Sequence, residues 1–159
     1  MSHSLRNASA GDIPVLLDLM HEFHGESGRA LDRKWAEAAF SAFFQDPSQG
    51  AIWIVSLDGA VAGYVVLTVR FSMEFGGLDA FVDDLFVKPS FRRRGLGKLL
   101  LDALFDECRR LGVLAVHVET GHDNVPARGL YESCGLRHPN DTRIMLTAEL
   151  GKLPSPDSR

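Results

Sequence analysis

Hydrophobic and polar positions along the chain change period several times, and each change marks an element. Residues 5–8 read as a first strand. Over 13–23 the apolar residues return at helical spacing behind Asp12, which predicts an amphipathic helix capped there. A second helix is expected behind Asp32, running through Trp35, Ala39 and Phe43 to Gln45, with Pro47 ending the region. The pattern then shortens. Residues 51–57 and 61–71 are β-rich runs joined by Asp58-Gly59, a strong hairpin signal. Gly76-Gly77 separates them from a strand over 78–87, which Pro89 stops because proline cannot donate to a ladder. Helical spacing returns at Leu96, Leu99, Leu100, Ala103, Leu104 and Leu111. A strand over 113–118 follows. Asp123 or Asn124 caps a short helix with Pro126 in its first turn and Gly135 as its left-handed end. A last strand is expected over 142–150. Strands and helices alternate in the second half, so the fold class is α/β (α+β), a mixed sheet packed by helices.

Bulk properties narrow the class. At 159 residues, 45% hydrophobic and 24% charged, the chain suits one domain with a sizeable core, expected over 1–150 with a flexible tail at 151–159. No run approaches the ~18 apolar residues of a membrane span, and residues 1–6 lack the apolar core of a signal peptide. Cys108 and Cys134 both fall in predicted helices without metal-like spacing, so a reduced, cytoplasmic protein is expected. A formal charge of −4 and a basic run of only Arg92-Arg93-Arg94 argue against a nucleic-acid partner. His21-Glu22-Phe23-His24 misses the zinc-helix pattern, which needs histidine at Gly25, and no metal is expected.

The candidate chemistry concentrates in Val87-Lys-Pro-Ser-Phe-Arg-Arg-Arg-Gly-Leu-Gly-Lys98, a strand exit, a basic turn and a glycine-opened helix. A helix N-terminus carries free N–H groups and about half a positive charge, and glycine lets a phosphate approach them. Arg92, Arg93, Arg94 and Lys98 add mobile charge, so a pyrophosphate is expected to dock there. A P-loop fails, with Arg92 at its first glycine and Leu99 at its hydroxyl; a dinucleotide fingerprint fails at Leu100.

Arg92-x-x-Gly95-x-Gly97, preceded by Leu85-Phe86-Val87, does resemble the coenzyme A pyrophosphate motif of the GCN5-related N-acetyltransferase (GNAT) superfamily. Downstream, Asn124, Ala127, Tyr131 and Gly135 fill every place of that superfamily's Asn-x-x-Ala-x-x-x-Tyr-x-x-x-Gly signature. The resemblance covers roughly residues 5–150. It implies the GNAT fold: a mostly antiparallel mixed sheet of about seven strands, the fourth and fifth splayed apart, flanked by about four helices. It implies acetyl-CoA as cosubstrate. Leu85, Phe86 and Val87 would offer backbone groups to its pantetheine arm, and Arg93, Arg94, Gly95, Leu96, Gly97 and Lys98 would wrap the pyrophosphate. Asn124, beside Ala127, would touch the arm, and Tyr131 would face the sulfur.

Acetyl transfer to an amine needs a base, since an alkyl ammonium of pKa near ~10.4 cannot attack a thioester. Tyr131 is the candidate acid for the leaving thiolate. Strand alternation puts Asp79, Phe81, Asp83, Leu85 and Val87 on one face and Val82, Asp84 and Phe86 on the other. Asp83 stands where polyamine acetyltransferases of the superfamily carry an acidic residue, so it is the first candidate base, with Asp79, Asp84 and Glu119 behind it. Glu26, Glu74, Asp79 and Glu119 would favour a cationic acceptor. The expected activity is N-acetylation of a primary amine, a small cationic metabolite, by direct transfer in a ternary complex. The alternatives are a protein N-terminus or lysine as acceptor, or a non-catalytic acyl-CoA sensor. Pairing of two copies through 142–150 is expected by analogy with relatives.

Overall fold

A computed structural model describes residues 1–139 and 142–151. Five strands, β1 (His3–Asn7), β2 (Gly50–Leu57), β3 (Ala60–Ser72), β4 (Gly77–Val87) and β5 (Ala115–Val118), lie side by side in chain order. All pairings are antiparallel except β4–β5, which is parallel and reached through a crossover helix. Four α-helices, α1 (Ile13–Glu26), α2 (Arg33–Gln45), α3 (Leu96–Leu111) and α4 (Val125–Ser133), cover the sheet.

Most local signals act where the sequence places them. Asp32 Oδ1 accepts the Trp35 N–H at 3.1 Å and caps α2. Asp58 and Gly59 both take positive φ (49° and 82°), the primed turn a two-residue hairpin needs. Asp12 differs: its side chain makes no cap bond to α1 and instead holds Arg6 and the Ser9 N–H. Each sheet face packs its own helices. Ile52, Ile54, Tyr64, Val66 and Phe86 meet α1 and α2, while Val55, Val65, Leu67, Val82 and Val87 meet α3. Leu100, Leu101 and Leu104 of α3 are fully buried, each worth about 1.5–3 kcal/mol of burial.

Two expectations are corrected. Residues 142–150 form no strand; every one is exposed, so the described sheet has five strands rather than about seven. An alternating strand pattern forms a ladder only where a neighbour exists, and here no described strand lies beside it. The predicted tail, beyond Gly151, lies outside the described residues. The second correction concerns β4. Val66 pairs with Asp84 and Leu67 with Val82, which leaves Asp83 as an extra residue in a β-bulge. Alternation restarts across it: Ala80 and Val82 face α3, yet so do Leu85 and Val87, while Phe86 faces α1 and α2. The single-face set from Asp79 to Val87 therefore does not exist.

Candidate active site

Strand pairing between β4 and β5 stops at Val82–Val118. Beyond it the two chains part, and the edge of β4 from Asp83 to Val87 has no strand neighbour on that side. A cavity of about 670 Å³ occupies the gap. Residues 82–87, the turn through Arg92, Arg93 and Gly95, the first turn of α3, and Asn124, Ala127 and Tyr131 of the α4 region all line it. The two sequence motifs, about thirty residues apart, thus face each other across one opening.

Backbone geometry builds the anion end. Arg93 (φ 62°) and Gly95 (φ 77°) both adopt left-handed conformations, turning successive N–H groups toward the start of α3. The first four N–H groups of a helix have no partner four residues back, and the helix dipole adds positive potential there. Gly97 has a different task. A Cβ there would come within 2.8 Å of Leu130 Cδ2, so its absence lets α4 close against α3. Asn124 Oδ1 accepts the Ala127 N–H at 3.3 Å and caps α4, which fixes Tyr131 two turns on.

Several expected cations are otherwise engaged. Arg92 turns inward: Nε donates to the Val87 carbonyl at 2.8 Å, Nη2 pairs with Glu26, and the guanidinium stacks over Phe86. That bond also occupies the Val87 carbonyl. Arg94 reaches toward Met1 Sδ and does not line the cavity. Lys98 lines it while its Nζ holds Asp102 at 2.7 Å. Arg93 lines the cavity and makes no ion pair with described residues.

The candidate carboxylates separate sharply. Asp79 is wholly buried at the far end of β4, gripped by Arg70 Nε and Nη2 at 2.7 and 2.9 Å, with His117 Nε2 at 2.9 Å. Arg70 chiefly, then His117, hold its carboxyl below the usual range against the opposing effect of burial. Neither Asp79 nor Glu74, which pairs with Arg143, lines the cavity. A carboxylate held charged and away from the cavity is neither a base nor an acceptor contact, so Asp79 and Glu74 leave the site.

Asp83, Asp84, Glu26 and Glu119 do line it. The bulge sends Asp84 inward, where Tyr64 Oη donates to its Oδ2 at 3.0 Å. Burial pushes the Asp84 carboxyl up to about 7, and Asp83 adds to the rise, while Tyr64 and Arg29 oppose it. Asp83 remains exposed at the rim, its carboxyl raised by burial and then by Glu119. Tyr131 is 8% exposed, and burial together with the nearby Asp84 charge pushes its phenol up to about 12. Tyr64 has no signal in the sequence, where it is one more aromatic in a strand. Its role depends on which β4 residue the bulge turns toward it.

The arrangement offers an anion cradle, an unpaired strand edge, a carboxyl poised near neutrality and a phenol beside it. These suit a nucleotide-linked thioester laid along β4. The comparisons with known proteins agree. A model of the acetyltransferase (GNAT) family matches residues 16–136. An uncharacterized N-acetyltransferase, YhfO, of Bacillus subtilis (strain 168) is 30% identical over 132 residues, covering 83% of this chain and 88% of the relative. The [ribosomal protein bS18]-alanine N-acetyltransferase of Salmonella typhimurium is 42% identical over 110 residues, 67% of each. Among solved structures, an integron cassette protein, HFX_CASS3, from the mobile metagenome of Cole Harbour Salt Marsh superposes with a TM-score of 0.83 at 41% identity, covering 93% of this chain and 91% of that one. With the splayed strands, the cradle and the phenol all in place, this chain belongs to the GNAT family of acetyltransferases, acyltransferases whose acyl donor is acetyl-CoA.

Proposed function

We propose that this acetyltransferase acts on a small cationic primary amine, with Asp84 as proton acceptor and Tyr131 as hydrogen-bond donor to the leaving sulfur. The observation that carries this reading is the Asp84 carboxyl: enclosed, bonded to Tyr64, and raised to about 7 at the cavity wall. A base works best when its pKa lies near the working pH. Asp79 is held too acidic for that and Asp83 is too exposed to be tuned as far.

The backbone N–H groups from Arg93 to Lys98 would hold the pyrophosphate, the open edge of Leu85 and Phe86 the pantetheine arm, and Asn124 its inner end. When bound, acetyl-CoA supplies an activated acyl group. Asp84 takes a proton from the acceptor ammonium, directly or through water; the freed nitrogen lone pair forms the N–C bond while the C–S bond breaks and its electrons leave with sulfur. A phenol near 12 is too weak to protonate a thiolate of pKa near ~8.5 outright. It donates a hydrogen bond instead. Once Asp84 carries the proton, the negative charge that raises Tyr131 is gone, and the phenol becomes a better donor at the moment it is needed.

Glu26, Asp83 and Glu119 around the same opening favour a cationic acceptor. The resemblance to an alanine N-acetyltransferase supports a second reading, a protein N-terminus as acceptor. A thiol-release assay separates them: polyamines and diamino acids should turn over with higher kcat/KM than alanyl peptides, and the reverse order would overturn the first reading. We read the chain as a cytoplasmic homodimer whose residues 1–150 work as one domain. Uncovered apolar side chains after Arg143 support the dimer.

A further inference from the structure

A second opening lies on the other side of β5. It measures about 770 Å³ and is lined both by residues 113–119 and by residues 134–139. β5 pairs only with β4, so among the described residues its outer edge has no strand beside it. An uncovered edge with free N–H and C=O groups is a template for another strand. Phe105 and Cys108 of α3, Val116, Val118 and Leu136 give this gap an apolar lining. Its dimensions and its walls suit one extended segment.

The chain carries such a segment and leaves it outside. Residues 142–150 are exposed throughout, with Ile144 79%, Met145 69%, Leu146 85% and Leu150 96% exposed. Their order places Ile144, Leu146, Ala148 and Leu150 on one face and Arg143, Met145, Thr147 and Glu149 on the other, the alternation of a half-buried strand. Arg143 Nη1 donates to Glu74 Oε1 at 2.9 Å, fixing the start of the segment at the β3–β4 turn, outside the sheet. From there it leads away from the molecule's own gap.

We propose that the gap beside β5 is the docking site for residues 142–150 of a second copy of this chain, exchanged reciprocally about a two-fold axis. The apolar face of each segment lies on Phe105, Cys108 and Val116 of the other copy, and its backbone pairs with the outer edge of β5. A two-fold exchange satisfies both edges with one set of contacts and closes the assembly at two copies. Val118, Glu119, Thr120 and Tyr131 line both this gap and the acyl-transfer cavity, so a seated segment also forms the back wall behind Tyr131. This surface rests on the dimer reading above and gives it a location.

Sedimentation velocity of the full chain, with hydrogen exchange on the same sample, tests it. The expected result is a dimer at micromolar concentration with protected amides over 144–150 and in β5. The double substitution Ile144→Asp/Leu146→Asp should shift it to monomer while far-UV circular dichroism stays unchanged. A dimer whose 144–150 amides exchange freely, or one indifferent to the double substitution, overturns this surface and leaves the dimer reading standing. A monomer overturns both, and protected 144–150 amides in that monomer would assign the gap to the chain's own segment. Should the substituted chain fail to fold, exchange on the unaltered protein decides alone.

Discussion

The two ends of β4 carry the same chemical group in opposite states. Asp79 and Asp84 are both inward-facing carboxyls on one strand, five residues apart. Asp79 meets a bidentate guanidinium and an imidazole and is held below the usual range. Asp84 meets a phenol, with another carboxyl beside it, and rises to about 7. Burial raises both; the partner decides the sign. A carboxylate with a cation in contact is a structural element, and one given only a neutral hydrogen-bond donor is left holding an exchangeable proton. The bulge at Asp83 separates the two regimes, because it turns Asp84 toward Tyr64 and opens the strand edge on the other side.

The largest effect that would sharpen the contrast is expected at Asp84. Asp84→Asn should lower kcat by about 10²–10⁴-fold at pH 7.5 while leaving the affinity for a desulfo-CoA analogue nearly unchanged, read by calorimetry. The same change should raise stability. A carboxyl whose folded pKa is raised contributes its stability below the unfolded value of 3.8 and loses it as pH climbs through about 7. The amide introduced by Asp84→Asn escapes that loss, so the variant's melting temperature should exceed that of the unaltered chain at pH 8 and match it near pH 4. Full turnover in Asp84→Asn would return the role to Asp83. Next in size, Tyr131→Phe should cost about 10–100-fold in kcat, with KM for acetyl-CoA within about twofold, because only the hydrogen bond to sulfur is lost.

At the other end, Asp79→Asn should behave as a stability mutant. Loss of the charge leaves Arg70 and His117 without their counter-ion; Arg70 is 60% exposed, so water takes over part of that solvation. The expected destabilisation is on the order of 1–3 kcal/mol by denaturant titration, with kcat of the folded fraction within about twofold. The pH dependence has the opposite sign from Asp84. A lowered folded pKa contributes stability above the unfolded value of 3.8 and loses it as pH falls further, so the deficit of Asp79→Asn should shrink in acid. A collapse of turnover in soluble, folded Asp79→Asn would erase the division between the two ends.

The helices, the hairpin and both cofactor-facing motifs are legible in the sequence because their causes are local: caps, glycines and periodicity within a few residues. α3 occurs over the expected Leu96–Leu111. What the local pattern misses is set by distant partners. Arg92 reads as a phosphate ligand in the sequence, yet Glu26, sixty-six residues away, and the Val87 carbonyl draw it inward. Strand alternation carried unbroken through β4 places Asp79 near the acceptor, and the bulge is what breaks it. The adjacent charges of Asp83-Asp84 inside an apolar run are the available hint of that bulge, since one of two neighbouring carboxylates must otherwise face a core. Glu74 sits at a loop beside a pairing partner, Arg143, that no local pattern announces. The expected strand over 142–150 has the right alternation and lacks only a neighbour.

The smallest expected effect discriminates best between a tuned base and a merely buried acid. Tyr64 Oη donates to Asp84 Oδ2 and is the main influence holding its carboxyl down against burial. Tyr64→Phe keeps the ring, which is fully enclosed against α1 and α2, and removes only the donor. The loss of one buried hydrogen bond should cost about 1 kcal/mol of stability. Its kinetic signature lies elsewhere. With its donor gone the Asp84 carboxyl must rise further, so the acidic limb of kcat/KM should move to higher pH while the alkaline plateau stays within about twofold. Tyr131 should feel the same change, since an Asp84 that stays protonated longer no longer raises the phenol at neutral pH. An acidic limb that stays in place in Tyr64→Phe, together with unchanged stability, would mean that this hydrogen bond does not set the proton affinity of the site, and the contrast between the two ends of β4 would reduce to burial alone.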